Sequence, residues 1–304
     1  MNTPNISGNF VSDQFFAMLE KQGISINEQQ SSAIKNKIDN LLSYEPKIGV
    51  FGKTGAGKSS LCNAVFGQDV CPISDVEACT RNPQEVIVKI GNKRGIKLID
   101  VPGMGENAER DSEYALLYNN LLPKLDLVLW VIKADDRAFT IDEKTYKSLV
   151  SPYIENGLPF FIILNQVDKV EPYREWDSDV RQPGPKQADN IFKKREVVSG
   201  NFNLPLQKII PVSANERYGL LELVDSIIHA LPKEKRLQVL LGVKDENRSE
   251  NARYEASQGF FDSVVDFVKE KIPEIATAVA DAVGKLITKS VTKSVGKLFS
   301  FFGL

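Results

Sequence analysis

The chain has 304 residues, 42% hydrophobic and 26% charged, with a formal net charge of −2 at pH 7. This is the composition of a globular protein with one large domain and appendages, or with two domains. It excludes a globally basic nucleic-acid binder. Cys62, Cys71 and Cys79 have no metal-ligand spacing and read as reduced thiols of a cytosolic protein. Met1-Asn2-Thr3-Pro4-Asn5 carries no basic segment leading into an apolar core, so no signal peptide is expected. No apolar run approaches the ~18 residues of a membrane span.

After a polar start, Phe15, Phe16 and Leu19 recur at helical spacing up to Gly23. A second helix is expected over 27–43, with Ile34, Ile38, Leu41 and Leu42 as its apolar stripe, Asn27 as its cap and Pro46 as its stop. From Lys47 strand and helix patterns alternate, which predicts an α/β fold with a mostly parallel sheet and helices on both faces. Expected strands cover 47–51, 85–90, 96–100, 126–132, 159–164 and 208–212. Expected helices cover 58–66, 111–121, 142–155, 186–198 and 217–230. Gly91-Asn92-Lys93-Arg94-Gly95 is a hairpin-type connection, so one strand should be antiparallel. The domain closes near Leu231-Pro232. Residues 233–271 are dense in charges of both signs around an apolar cluster that includes Phe260 and Phe261, and Pro273 opens a last helix expected to run to about Phe302. The expected organisation is an N-terminal helical segment over 1–45, an α/β domain over 46–232 and a C-terminal helical region over 233–304.

The α/β pattern is organised around Gly52-Lys53-Thr54-Gly55-Ala56-Gly57-Lys58-Ser59, a full G-x-x-x-x-G-K-[ST] loop. Ile48-Gly49-Val50-Phe51 runs into it and Ser60-Leu61-Cys62-Asn63-Ala64 leaves it as a helix. Glycines let backbone N–H groups turn inward around phosphates, and the helix N-terminus adds positive potential. Lys58 should reach the β- and γ-phosphates, and the Ser59 hydroxyl should ligate Mg²⁺. The loop therefore predicts a nucleoside triphosphate site in a P-loop fold.

Three later segments close the question of which nucleotide. Asp100-Val101-Pro102-Gly103 follows an expected strand and has the D-x-P-G form, with Asp100 holding the metal through a water and the Gly103 N–H on the γ-phosphate. Loss of that phosphate would release the segment. Asn165-Gln166-Val167-Asp168 follows another strand, and the Asp168 carboxylate can accept both N1–H and the exocyclic amine of guanine. Adenine offers no such donor pair and would leave a buried carboxylate unpaired. Ser213-Ala214-Asn215 follows a third strand and can place a backbone N–H on guanine O6. Each is a weak signal alone, but four in this order, each at a strand end, point to GTP.

Residues 45–232 resemble the Era-like branch of the translation-factor-related GTPases. The stretch from Tyr44-Glu45-Pro46 through the loop to Ser60-Leu61-Cys62-Asn63-Ala64, with 127–137, is especially similar to a group of uncharacterised bacterial Era-like GTPases. Some members carry a ribosome-binding label, which rests on analogy. The resemblance implies a G domain that hydrolyses GTP to GDP and phosphate with Mg²⁺. It also implies a switch threonine. Cys79-Thr80-Arg81 resembles the family's T-T-R, which makes Thr80 the second metal ligand and, with Lys58 and Gly103, part of the catalytic set.

Two departures stand out. Gln166 replaces the lysine that usually braces the phosphate loop and covers the base, so weaker nucleotide affinity is expected. Met104 stands where Ras-like enzymes carry a water-orienting Gln, a job a thioether cannot do. Slow intrinsic turnover is therefore expected. Gly55 replaces the Asn of potassium-activated relatives. Arg81 and Arg110 are candidate charge stabilisers, although solvated surface arginines are the commoner case. Trp176 and Pro183-Gly184-Pro185 fall in a long insertion over 169–207, a partner loop or a plain elongation.

In the tail, Lys285, Lys289, Lys293 and Lys297 form a basic ridge beside Val283, Leu286, Ile287, Val291, Val295, Leu298, Phe299 and Phe302. Residues 273–304 could thus meet an anionic membrane surface, with Phe299-Ser300-Phe301-Phe302 entering the lipid interface, or pack their apolar face on the protein. Ala- and Gly-rich 275–284 would also suit self-association. Nothing in the tail argues for nucleic acid: no pair of glycines has the G-x-x-G spacing of an RNA-clamping loop. Three readings follow: a cytoplasmic GTPase switch, a peripheral or self-assembling dynamin-like GTPase, and a low-turnover GTP-gated module on a ribosomal or other protein partner.

Overall fold

The computed structural model describes residues 8–66, 84–90, 93–100, 108–136, 139–291 and 296–302. Helix α1 covers Gly8–Glu20 and α2 Glu28–Ser43. Then follow β1 Lys47–Phe51, α3 Lys58–Val65, β2 Gln84–Ile90, β3 Lys93–Asp100, α4 Ala108–Leu121 and β4 Leu127–Lys133. After α5 Thr140–Thr145 a π turn, Tyr146–Val150, leads into α6 Ser151–Glu155. The chain continues through β5 Phe160–Asn165, α7 Pro185–Phe202, β6 Ile209–Pro211 and α8 Leu220–Ala230. Helices α9 Lys233–Gly242, α10 Glu250–Lys271, α11 Pro273–Val291 and α12 Gly296–Phe299 complete it, the last running into a 3-10 turn at Ser300–Phe302.

The chain separates into two compact units. One, Lys47–Val88 and Lys97–Ile227, carries most of the sheet; the other, Met1–Pro46, Lys89–Ile96 and Ile228–Leu304, is mostly helical.

The sheet runs β2-β3-β1-β4-β5-β6. Strand β1 pairs in parallel with β3 and β4, and β4, β5 and β6 continue in parallel. Only two residues separate β2 from β3, too few for a crossover, so that pair is antiparallel as expected. Every residue of β5, and all but Lys133 of β4, is buried, the mark of parallel strands covered on both faces. Val128, Trp130, Ile132, Phe160, Ile162 and Leu164 share one core cluster with Tyr118 of α4 and Leu122 just after it, Tyr146 and Val150 of the π turn, and Ile191, Val198 and Phe202 of α7. The alternate positions Leu127, Leu129, Val131, Phe161 and Ile163 point the other way and are equally buried.

Two expected helices differ. The one placed at 142–155 starts at Thr140 and is broken by the π turn, because Pro152 has no N–H to return to the Ser148 carbonyl. The one placed at 217–230 starts only at Leu220. Arg217 and Gly219 both have positive φ, and a Cβ at Gly219 would meet the Pro211 carbonyl oxygen at 2.2 Å.

In the helical unit α2 is closed by a capping box between Asn27 and Gln30, and α10 by Ser249, which accepts the Ala252 N–H at 2.9 Å. Phe15, Ile34, Ile38, Leu240, Phe261 and Val264 are fully buried there. Among the described residues of 273–304, Val279, Ala282, Val283, Leu298, Phe299 and Phe302 pack on protein. Phe299 and Phe302 are 1% and 0% exposed. The Phe302 ring lies 5.1 Å from Phe260 and 5.9 Å from Phe261, and the Arg253 guanidinium covers Phe299 at 4.8 Å. These two rings, expected at a lipid interface in the membrane alternative, are buried in protein instead. Val279, Ala282 and Val283 of α11 are buried too, while Lys285 is exposed. Lys289, Lys293 and Lys297 of the expected ridge have no described side chains. Among the described residues no helix is long and apolar enough to cross a membrane.

Candidate nucleotide-binding site

The loop of residues 52–57 leaves β1 and turns directly into α3. Its glycines have φ of +138° at Gly52, +81° at Gly55 and +86° at Gly57, which few L side chains adopt. Space also excludes side chains at two of them. A Cβ on Gly52 would meet the Val131 carbonyl oxygen at 2.2 Å, and one on Gly57 the Asn165 amide nitrogen at 2.4 Å. The loop's curvature therefore depends on residues that the strands beside it leave no room to enlarge. Lys58 folds over the loop, donating to the carbonyls of Gly52 at 3.0 Å and Lys53 at 3.5 Å. Ser59 and Ser60 sit partly buried in the first turn of α3, and Thr54 is exposed.

Asn165 joins the loop to two strand ends. It ends β5, is 1% exposed, and donates to the carbonyls of Ala56 at 2.9 Å and Gly57 at 3.4 Å. Its side-chain oxygen accepts the Ala214 N–H at 3.2 Å, and its own carbonyl accepts the Ala134 N–H at 2.8 Å. Gln166, with φ of +63°, donates to the Gly55 carbonyl at 3.1 Å and accepts from Lys169 at 2.9 Å. Gln166, which stands in place of the bracing lysine, thus itself braces the loop, with a cation placed behind its amide.

Asp168 follows in a 3-10 turn over Val167–Lys169. Its Oδ1 is buried and has no hydrogen-bond partner. Gln187, fully buried in the first turn of α7, holds the turn by donating to the carbonyls of Asp168 at 3.0 Å and Val170 at 2.9 Å. The insertion after it is compact. Glu175 accepts the Lys186 and Gln187 N–H groups at 2.9 and 3.2 Å, capping α7, and Trp176 meets Tyr218 edge to face at 5.5 Å. Tyr218 closes the third segment, exchanging both backbone hydrogen bonds with Ser213. Burial pushes its phenol up, Glu222 adds to that, and Arg195 opposes it. The Ala214 N–H is already taken by Asn165, so the next one along belongs to Asn215, whose side chain is exposed.

Asp100 ends β3 at the register of Val50, just before the loop. Thr80 and Gly103, with Cys79, Arg81 and Met104, lie outside the described residues. Gln187, Lys169 and Asp142 were not anticipated. Asp142 is a buried carboxylate on α5 that accepts the Trp130 indole N–H at 3.2 Å and lies 2.8 Å from the Lys53 ammonium. The signals available were weak: Gln187 is one of several polar residues after Gly184-Pro185, and Asp142 is one of three charged residues in the short segment 140–145.

A family model described as "50S ribosome-binding GTPase" matches residues 47–166. The "Uncharacterized protein YkfA" of Escherichia coli (strain K12) is 40% identical over 234 residues, 77% of this chain and 79% of that protein. "GTPase Era" of Aquifex aeolicus (strain VF5) is 27% identical over 62% of this chain and 58% of its own length. Among solved structures, a variant of Aquifex aeolicus Era bound to GDP·AlF4⁻ is 25% identical over 61% of this chain and 56% of that one, with a TM-score of 0.47.

Proposed function

The chain belongs to the Era-like family of P-loop GTPases, and we propose that it binds GTP and GDP and hydrolyses GTP to GDP and phosphate as a nucleotide-dependent switch. The observation that carries the base assignment is the buried, partnerless Oδ1 of Asp168. Guanine's N1–H and exocyclic amine would satisfy that carboxylate, whereas adenine would leave it unpaired. The Asn215 N–H would face O6, beside Ser213 and Ala214. Gly52, Lys53, Thr54, Gly55, Ala56, Gly57, Lys58, Ser59 and Ser60 would line the phosphates.

Mg²⁺ fits the donor set: the Ser59 hydroxyl, the Thr80 hydroxyl and Asp100 through a water are hard oxygen ligands. When bound, it would neutralise charge on the β- and γ-phosphate oxygens. Lys58 would share that load, and the Gly103 N–H would sense the γ-phosphate. Residues 46–232 form the nucleotide domain in this reading, with 1–45 and 233–304 as helical flanks that report its state to a protein partner. With Met104 in place of a water-orienting amide, turnover by the isolated chain should be slow.

Calorimetry with GTP and ATP tests the assignment. GTP should bind and ATP should not, and Asp168→Asn should lose the preference; a wild-type preference for ATP would overturn it. Lys58→Ala should abolish binding or phosphate release. No phosphate release from saturated wild-type protein, alone or with a partner captured in its GTP state, would remove the hydrolytic part.

A further inference from the structure

The phosphate loop is held differently on its two sides. On one, Asn165 and Gln166 bond the carbonyls of Ala56, Gly57 and Gly55. On the other lies a cleft of about 220 Å³, bounded by residues 53–56, the end of β4 at 131–133, Asp136 and Asp142. Close packing cannot fix a backbone beside an open cleft. A charge contact does so instead: the Lys53 ammonium lies 2.8 Å from Asp142 Oδ2, with side-chain exposures of 31% and 6%. The other Asp142 oxygen accepts the Trp130 indole N–H at 3.2 Å. Trp130 in turn stacks on Phe51, the residue before the loop, at 5.8 Å and 7°. Asp142 is therefore tied directly to β4 and, through the Trp130–Phe51 stack, to β1, the strand that leads into the loop. The carbonyl of Lys53 accepts both the Ala56 N–H at 3.2 Å and the Lys58 ammonium at 3.5 Å. Turning Lys53 would move Lys58.

We propose that Asp142 is a positioning residue for nucleotide binding: by holding Lys53 against α5 it sets the loop's N–H groups and the Lys58 ammonium for the β- and γ-phosphates. This rests on the nucleotide-binding reading above. Asp142 touches no phosphate and acts through Lys53. A buried carboxylate fits the task because a charge-assisted bond is both shorter and stronger than a neutral one. The alternative role for Lys53, a cation aimed at the phosphates, makes the opposite prediction for Asp142. Freeing the lysine would then tighten binding.

The test is GTP and GDP affinity, measured by calorimetry at equal folded fraction, for wild type, Asp142→Asn, Lys53→Met, Lys53→Arg and the double variant Asp142→Asn with Lys53→Met. Asp142→Asn keeps an acceptor for Trp130 but loses the charge. It and Lys53→Met should each weaken both nucleotides about tenfold, the share of one hydrogen bond to a charged group. The double variant should be no weaker than either single one, and Lys53→Arg, which keeps the charge facing Asp142, should regain most of the affinity that Lys53→Met loses. Asp142→Asn binding as tightly as wild type, or more tightly, overturns the proposal. So does Lys53→Met with wild-type affinity, a result that stands even if the buried Asp142 variant fails to fold. If wild type itself binds no guanine nucleotide, the function reading fails first; if wild type binds and the variants are unaltered, only the role of Asp142 fails.

Discussion

The Asn165 side-chain amide lies 2.9 Å from the carbonyl oxygen of Ala56, so the end of β5 grips the turn of the phosphate loop directly. The same side chain accepts the Ala214 N–H, which makes it the joint between the loop and the two segments assigned to the base. Asn165→Asp keeps the size but puts a second acceptor against the carbonyls of Ala56 and Gly57. With Asn165 1% exposed, the loss should cost roughly 2 kcal/mol of stability, the penalty of a buried unpaired polar group. Thermal melting should show the loss and calorimetry should show no GTP binding. A variant that melts and binds like wild type would mean the joint carries no load.

Gln166 and Lys169 lead to a prediction of sign. Gln166 bonds the Gly55 carbonyl and receives the Lys169 ammonium. Restoring the family's lysine with Gln166→Lys would place two ammonium groups together, so it should weaken GTP binding. The same change in a Lys169→Ala background should strengthen it relative to Lys169→Ala alone. Both groups are accessible to solvent, so each step should be about two- to fivefold, in keeping with exposed charge interactions. Affinities of the four proteins by calorimetry check this. Tighter binding by Gln166→Lys alone would show that Lys169 takes no part.

What the sequence disclosed is what local chemistry forces. Short apolar runs at 48–51, 127–132 and 160–164, alternating with helix patterns, read as buried parallel strands, and the glycines and polar residues at their ends read as loops over the sheet edge. Gly52, Gly57, Asn165 and Asp168 were legible for that reason. Asp142, Gln187 and Lys169 were not. Their roles come from what lies opposite them in space, 89, 19 and 3 residues away in the chain for Lys53, Asp168 and Gln166. Pro152 was visible, yet the break it makes appears as a π turn several residues earlier. The basic, aromatic tail suited both a lipid surface and a protein core, because amphipathicity does not name the apolar partner. Phe260 and Phe261 are what Phe302 meets.

Gln187 should act on base choice rather than on phosphate binding. It is fully buried and holds the carbonyls of Asp168 itself and of Val170, just after the turn. Gln187→Leu fills a similar volume but leaves those carbonyls unpaired, at a cost of about 1–3 kcal/mol. With the turn loosened, Asp168 should discriminate less well for guanine's exocyclic amine. GTP preference over ITP, which lacks that amine, should narrow several-fold while the affinity for ITP itself changes little. Equal loss of GTP and ITP would show instead that the substitution disrupts the whole site.

The tail makes the last prediction, on stability. Phe302 is 0% exposed and packs edge to face on Phe260 at 5.1 Å, with Phe299 at 6.2 Å and Phe261 at 5.9 Å. Phe302→Ala should destabilise the helical unit by about 3–5 kcal/mol, the usual cost of emptying a buried aromatic site. Hydrogen exchange would locate the effect: amides of α10 and α11 should lose protection, while those of β4 and β5 keep theirs, because Phe302 lies outside the unit that holds those strands. If Phe302 were instead a surface anchor for lipid, the variant would melt at the wild-type temperature and lose affinity for anionic vesicles. Unchanged exchange in α10 would sink the packed-tail account.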